Sequence, residues 1–188
     1  ILPLIILINM GCSNFGTKKS PFTVNENRQG IELLENGHPV FFYQREPKPS
    51  GATFLFNNYL HPLYDLSGDT LTEEFPADHP HHRGIFWAWH QLYVNDRRIG
   101  DNWMMENISL DVDTLTTTRD EEQASLEVRV LWKSTLNEDP FLEEHTSIIV
   151  HPRQTDIRKI DFEISLRSLV PGLQIGGSED VKGYGGFC

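Results

Sequence analysis

Apolar and polar residues alternate with a period of two along most of the chain after Phe22. That period belongs to extended strands with one buried face and one wet face. In "SLEVRVLWKS", Leu126, Val128, Val130 and Trp132 alternate with polar neighbours, Leu131 being the exception. In "KIDFEISLRSL", Ile160, Phe162, Ile164, Leu166 and Leu169 lie opposite or beside Asp161, Glu163, Ser165 and Arg167. "IELLENGHPVFFYQ" predicts a strand, a turn at Glu35-Asn36-Gly37 and a second strand, because Asn-Gly favours a tight hairpin. "LYDLSGDTLTEEF" centres on a Ser67-Gly68-Asp69 turn. "GIFWAWHQLYV" predicts a strand with Ile85, Trp87 and Trp89 on one face and Phe86, Ala88 and His90 on the other. The clusters "RDEEQ", "NEDP" and "HPRQTD" separate these runs, and no long amphipathic helix pattern or internal repeat interrupts them. Strands with regular turns predict an all-β fold, an antiparallel β-sandwich.

The 188 residues suit one domain. A domain of this size buries roughly 70% of the surface its unfolded chain exposes. Lys and Arg number 16 against 27 Asp and Glu, a formal charge of −11. A nucleic-acid surface needs a basic stripe, so no nucleic-acid partner is expected. The first twenty residues differ from the rest. Ile1 to Ile8 are almost wholly apolar, and Gly11-Cys12 follows. An apolar stretch, a small residue and then Cys resembles a bacterial lipoprotein signal, which implies export to the cell envelope with a lipid on Cys12 as the sole membrane attachment. Residues 1–20 are thus expected to be signal and tether, and residues 21–188 the sandwich. Cys12 and Cys188, at opposite ends, make neither a disulfide framework nor a zinc site. The Gly-rich "GGSEDVKGYGGFC" begins another apolar strand as the sequence stops, so the sandwich is expected to continue past Cys188.

Candidate chemistry concentrates in "EEFPADHPHHRGIFWAWH", Glu73 to His90, which holds four of the eight histidines and two of the four tryptophans. On an extended segment His79 and His81 point one way and His82 the other. An H-x-H pair can hold two positions of a divalent metal, with a carboxylate such as Glu106 as a third, so His79, His81 and Glu106 form a candidate metal set. The same rings can instead move protons near neutral pH, with Asp78 or Glu106 as the opposite partner. Arg83 can grip a carboxylate or ketone oxygen through its fork. Trp87, Trp89 and Trp103 offer flat faces on which a sugar ring can stack, although aromatic alternation on a half-buried strand is also how a core packs, and at least one of Trp87 and Trp89 is expected there. Lys182-Gly183-Tyr184-Gly185-Gly186 can bring backbone N–H groups and a phenol to a ligand, or be a tight turn. His61, before Pro62, is the outside candidate to join the site, whereas His38, His145 and His151 read as turn or sheet-face residues.

"HPLYDLSGDTLTEEFPADHPHHRGIFWAW", with "DNWMME" after it and "DVKGYGGF" near the end, resembles the PmoA-like ("methane oxygenase PmoA") domain family of unknown function, from about Phe54 to Cys188. The resemblance implies a sandwich akin to the galactose-mutarotase-like folds of sugar-acting proteins, a carbohydrate pathway, and a small-molecule or oligosaccharide ligand. It carries over to His61, Asp78, His79, His81, His82, Arg83, Gly84, Trp87, Trp89, Trp103, Glu106, Lys182, Gly183, Tyr184, Gly185 and Gly186. "QLYVNDRRIG" stands out as insert-like. Methane oxidation belongs to an integral membrane subunit, and no run of about 20 apolar residues is present here. The expected function is therefore acid–base or metal-assisted chemistry on a sugar or oxidised sugar, with a non-catalytic sugar-binding or envelope-interaction module as the competing class.

Overall fold

The computed structural model describes residues 19–51 and 54–188. Every strand pairing among them is antiparallel, and the described residues contain no helix, hence none long and apolar enough to cross a membrane. The lipid-anchor reading of Cys12 lies outside the described residues.

Strands β1 (Phe22–Glu26), β2 (Gly30–Glu35) and β3 (His38–Gln44) form a meander, and β4 (Lys48–Ser50) and β5 (Phe54–Phe56) a small hairpin. β6 (Tyr59–Leu63) pairs with β3 to complete a four-stranded sheet ordered β1-β2-β3-β6. The Asn36-Gly37 turn joins β2 to β3 with φ of 50° and 81°, the left-handed pair that a two-residue hairpin requires. Next come β7 (Trp87–Trp89), β8 (Gln91–Val94) and β9 (Arg97–Gly100). The insert-like segment is the β8–β9 hairpin, turned by Asn95 and Asp96 at φ of 50° and 61°. The long strands β10 (Ile108–Arg119), β11 (Ala124–Ser134), β12 (Asn137–Val150) and β13 (Ile160–Ser168) form the second four-stranded sheet, in chain order. β14 (Leu173–Gly176) pairs with β8, and β15 (Gly185–Phe187) with β7.

The two large sheets share one core. Ile31, Leu33, Phe41 and Tyr43 from the first are buried in the same cluster as Leu126, Val128, Val130 and Trp132 from the second. A buried hydrogen-bond chain crosses between them. Tyr43 Oη donates to Asn58 Oδ1 at 2.7 Å, and Asn58 Nδ2 donates to Glu144 Oε1 at 2.9 Å. Glu144 also accepts from Trp132 Nε1 and Thr146 Oγ1, each at 2.8 Å. Burial pushes the Glu144 carboxyl above the usual range. On the outer face of the same strand, Glu143 pairs with Arg129 and Arg167.

β7 separates this core from a second one. Trp87 and Trp89 pack into the sandwich, while Phe86 and Ala88 join Phe56, Tyr59 and Trp103 in a smaller cluster on the other side. Period-two alternation thus gives β7 two buried faces, and the smaller cluster underlies the site.

Candidate functional site

The histidine segment is the tip of a hairpin. Phe75 N donates to the His82 carbonyl at 2.8 Å and Gly84 N to the Glu73 carbonyl at 2.9 Å. Two turns in succession fill the tip: His79 N donates to the Pro76 carbonyl at 3.0 Å, and His82 N to the His79 carbonyl at 2.9 Å. Pro80 occupies the second position of the latter turn, where its fixed φ fits. Ser50 Oγ clamps the turn by donating to the Pro80 carbonyl at 2.7 Å. Gly84 has φ of 68°, and a Cβ there would come within 2.1 Å of the Leu60 carbonyl oxygen, so a bulkier residue would push the hairpin off β6. The extended geometry expected from the sequence, with His82 on the opposite face, is not what forms. The turns curl all three rings together. His79 stacks on His82 with centroids 4.7 Å apart, His81 meets His82 edge-on at 4.7 Å, and His79 and His81 are 5.9 Å apart.

A second loop supplies the opposing wall. Asp101 and Glu106 close it by reciprocal backbone hydrogen bonds at 2.8 and 2.9 Å. Asp101 Oδ1 accepts from Met104 N at 2.9 Å, and Asn102 Oδ1 from Trp89 N at 2.7 Å. These bonds turn Trp103 toward the hairpin, where His90 stacks on it at 4.9 Å and Tyr184 lies near-parallel at 6.2 Å.

Arg83 joins the two loops. Its guanidinium lies over the rings of Phe56 and Phe86, 4.5 and 4.1 Å from their centroids. Nη1 donates to the carbonyls of His81 (2.9 Å) and Trp103 (3.2 Å), and Nη2 to that of Asn102 (3.2 Å). Nε is buried without a partner, and no carboxylate among the described residues forms an ion pair with the group. Burial pushes the Arg83 pKa down to about 9, which still leaves it charged at neutral pH. The fork expected to grip a ligand is committed to backbone carbonyls. Arg83 is a positioning residue beneath the site.

Between these walls lies a cavity of about 680 Å³, within the range typical of small-molecule sites. His79, His81, His82, Trp103, Lys182 and Tyr184 line it, as do His90, Glu73, Phe86 and Met104. His90 is held by Asp101: its Nδ1 lies 2.9 Å from Asp101 Oδ2. Facing a carboxylate oxygen, Nδ1 is the donor, and in the neutral ring Nε2 then keeps a lone pair, on a residue of the cavity wall. Burial is the main cause that lowers the pKa of His81 and of His82, and the neighbouring imidazoles lower both further. Behind the hairpin, Glu74 accepts from Tyr59 Oη at 2.7 Å and pairs with Lys48.

Several sequence candidates are not brought into the cavity. Glu106 is exposed at the closing end of its loop, because its backbone pairs with Asp101 and carries the side chain outward. Asp78 sits in the turn with 79% of its side chain exposed, paired with His79 Nδ1 at 3.0 Å. His61 bonds Thr72 through Nδ1 at 3.0 Å and does not line the cavity. Trp87 is core, against Phe187, and the half-buried Trp89 packs on the core against Trp132. Trp103 lines the cavity but is only 7% exposed, so the ring free to meet a ligand is the half-exposed Tyr184. The metal set of His79, His81 and Glu106 is not assembled, since Glu106 lies elsewhere; among the described residues no group of three or more His, Cys, Asp and Glu is arranged to hold a metal ion. The sequence reading missed Asp101 and the part played by His90. A signal for His90 existed in the β7 alternation, which sets it on the face of Phe86 and Ala88.

The molecule is thus an all-β antiparallel sandwich with a histidine-lined cavity at a junction of loops. It belongs to a family of unknown function (DUF6807), whose model matches residues 30–188. That description carries neither a methane-oxygenase label nor a lipoprotein assignment. No curated protein and no solved structure matches the chain.

Proposed function

We propose that the protein is an exported carbohydrate-processing protein that carries out acid–base chemistry on a sugar or oxidised sugar in the histidine cavity. The observation that carries this reading is the His90–Asp101 pair on the wall of a cavity that three clustered imidazoles also line. Proton transfer needs one group that accepts and one that donates in a single ligand pose. His90, fixed by Asp101, is the acceptor through Nε2. His81, once protonated, is the opposing donor: its ring lies 6.3 Å from the same Trp103 indole on which His90 stacks. The half-exposed Tyr184 ring gives a sugar an apolar face to lie on, and it equally favours the second reading, a sugar-binding module without turnover. Export and lipidation of Cys12 rest on the sequence, and mass spectrometry of the mature protein checks them.

The test is a turnover and binding screen of ordinary and oxidised sugars against the wild type, His81→Ala and His90→Gln. Turnover is expected to fall about 10²–10⁴-fold in each variant, the usual worth of a proton-transfer group. The urea midpoint should hardly move. Binding without turnover in the wild type selects the module reading. Failure of every sugar to bind rejects both.

A further inference from the structure

We infer that the cavity takes an acidic sugar, one bearing a carboxylate such as a uronate or aldonate, with the carboxylate among His81, His82 and Lys182. The inference rests on the sugar reading above and narrows its substrate class. Its basis is a reversal of charge. The chain carries a formal charge of −11, yet the cavity lining has a single carboxylate, Glu73, against Lys182 and four imidazoles. The nearby acids are already engaged. Asp101 is bonded to His90, and Asp78 is paired with His79 at the exposed edge of the turn. One layer beneath, Arg83 is a buried cation that bonds only carbonyls and lies on aromatic faces; its Nε has no partner, and Asp101 and Cys188 act on it only from beyond ion-pair distance. A buried cation with no direct ion pair leaves a positive potential in the space above it, where low dielectric strengthens the attraction for an anion.

The imidazoles add a proton-linked component. His79 and Arg83 act on both His81 and His82, His90 acts on His81, and Asp78 and Glu73 act on His82; Lys182, Tyr184 and Cys188 line the same cavity. In the empty site burial and mutual repulsion keep His81 and His82 neutral more readily than a free histidine. A carboxylate among them reverses that balance. The bound anion favours protonated rings, so binding takes up protons and strengthens as pH falls.

The experiment is isothermal titration of the protein with D-glucuronate, D-glucose and inorganic phosphate at pH 6 and pH 8, in two buffers of different ionisation enthalpy, repeated with Lys182→Met. Glucuronate is expected to bind at least about tenfold more tightly than glucose, as a charge-assisted contact allows. Its affinity should rise from pH 8 to pH 6 with net proton uptake. Lys182 is exposed, so Lys182→Met should weaken glucuronate about three- to fivefold without disturbing the fold. Glucose binding as tightly as glucuronate overturns the acidic-sugar inference and leaves the sugar reading standing. Phosphate matching glucuronate, with glucose inert, overturns both in favour of a plain anion site. No binding by any of the three overturns the acidic-sugar inference, and the sugar reading is then decided by the wider screen.

Discussion

Glu144 and Arg83 are both enclosed ionisable side chains, and the molecule treats them differently. Glu144 lies between the two large sheets and receives hydrogen bonds from Asn58, Trp132 and Thr146. Arg83 lies beneath the cavity and donates to three carbonyls, yet keeps Nε unpartnered. A carboxyl can lower its burial penalty by holding its proton, and the raised pKa of Glu144 is that response. A guanidinium has no such route near neutral pH, so Arg83 relies on aromatic faces and peptide dipoles instead. The first arrangement joins sheets whose buried faces alternation already marks. The second joins two loops that no strand ladder would bring together. Glu144 thus sits in a filled hydrogen-bond network between the sheets, and Arg83 keeps an unfilled donor beneath the site.

Breaking the scaffold side should have the largest effect. Glu144→Ala leaves three buried donors without an acceptor and opens a void, and should lower stability by about 3–5 kcal/mol in urea denaturation. A loss below about 1 kcal/mol would mean that the network does not join the sheets. Arg83→Lys should come next, at about 2–3 kcal/mol, because an ammonium neither stacks between two rings nor bonds two loops at once. It should also abolish ligand binding in the cavity, whereas Glu144→Gln should leave that binding intact. Equal loss of binding in both would erase the distinction between site and scaffold.

A finer contrast lies between neighbours in sequence. Arg167 and then Arg129 hold the Glu143 carboxyl down at about 2. As pH falls, the unfolded chain takes up a proton at this residue before the folded one does. Its stabilising contribution is therefore complete above the ordinary carboxylate range and is lost as pH drops toward about 2. Glu144 behaves in the opposite sense. Its raised pKa gives a contribution present at low pH that declines as pH rises through the folded value. Urea midpoints measured from pH 2.5 to 7 should show Glu143→Gln flattening the acid limb and Glu144→Gln leaving that limb in place. The smallest effect is expected from Glu106→Gln. The side chain is exposed and outside the cavity, so stability should change by less than about 0.5 kcal/mol and ligand affinity should not move.

By itself the sequence determined which residues of the strands face which way. Leu126, Val128, Val130 and Trp132 are buried together, the Asn36-Gly37 turn forms, and β7 divides its side chains as the alternation required. These follow from steric rules that act over two to four residues, so local pattern suffices to read them. β13 is less buried than its alternation suggests, because it is the edge strand of its sheet, and edge position is a property of topology. Only the tertiary structure decided the site. Its partners are far apart in sequence: Ser50 with Pro80, Arg83 with Asn102 and Trp103, and Trp103 with Tyr184. Whether Asp101 or Glu106 reaches a histidine depends on how one short loop closes, and the two acids end on different sides of it. Composition marks a region rich in chemistry, but hydrogen bonds between distant loops choose which of its side chains share a cavity.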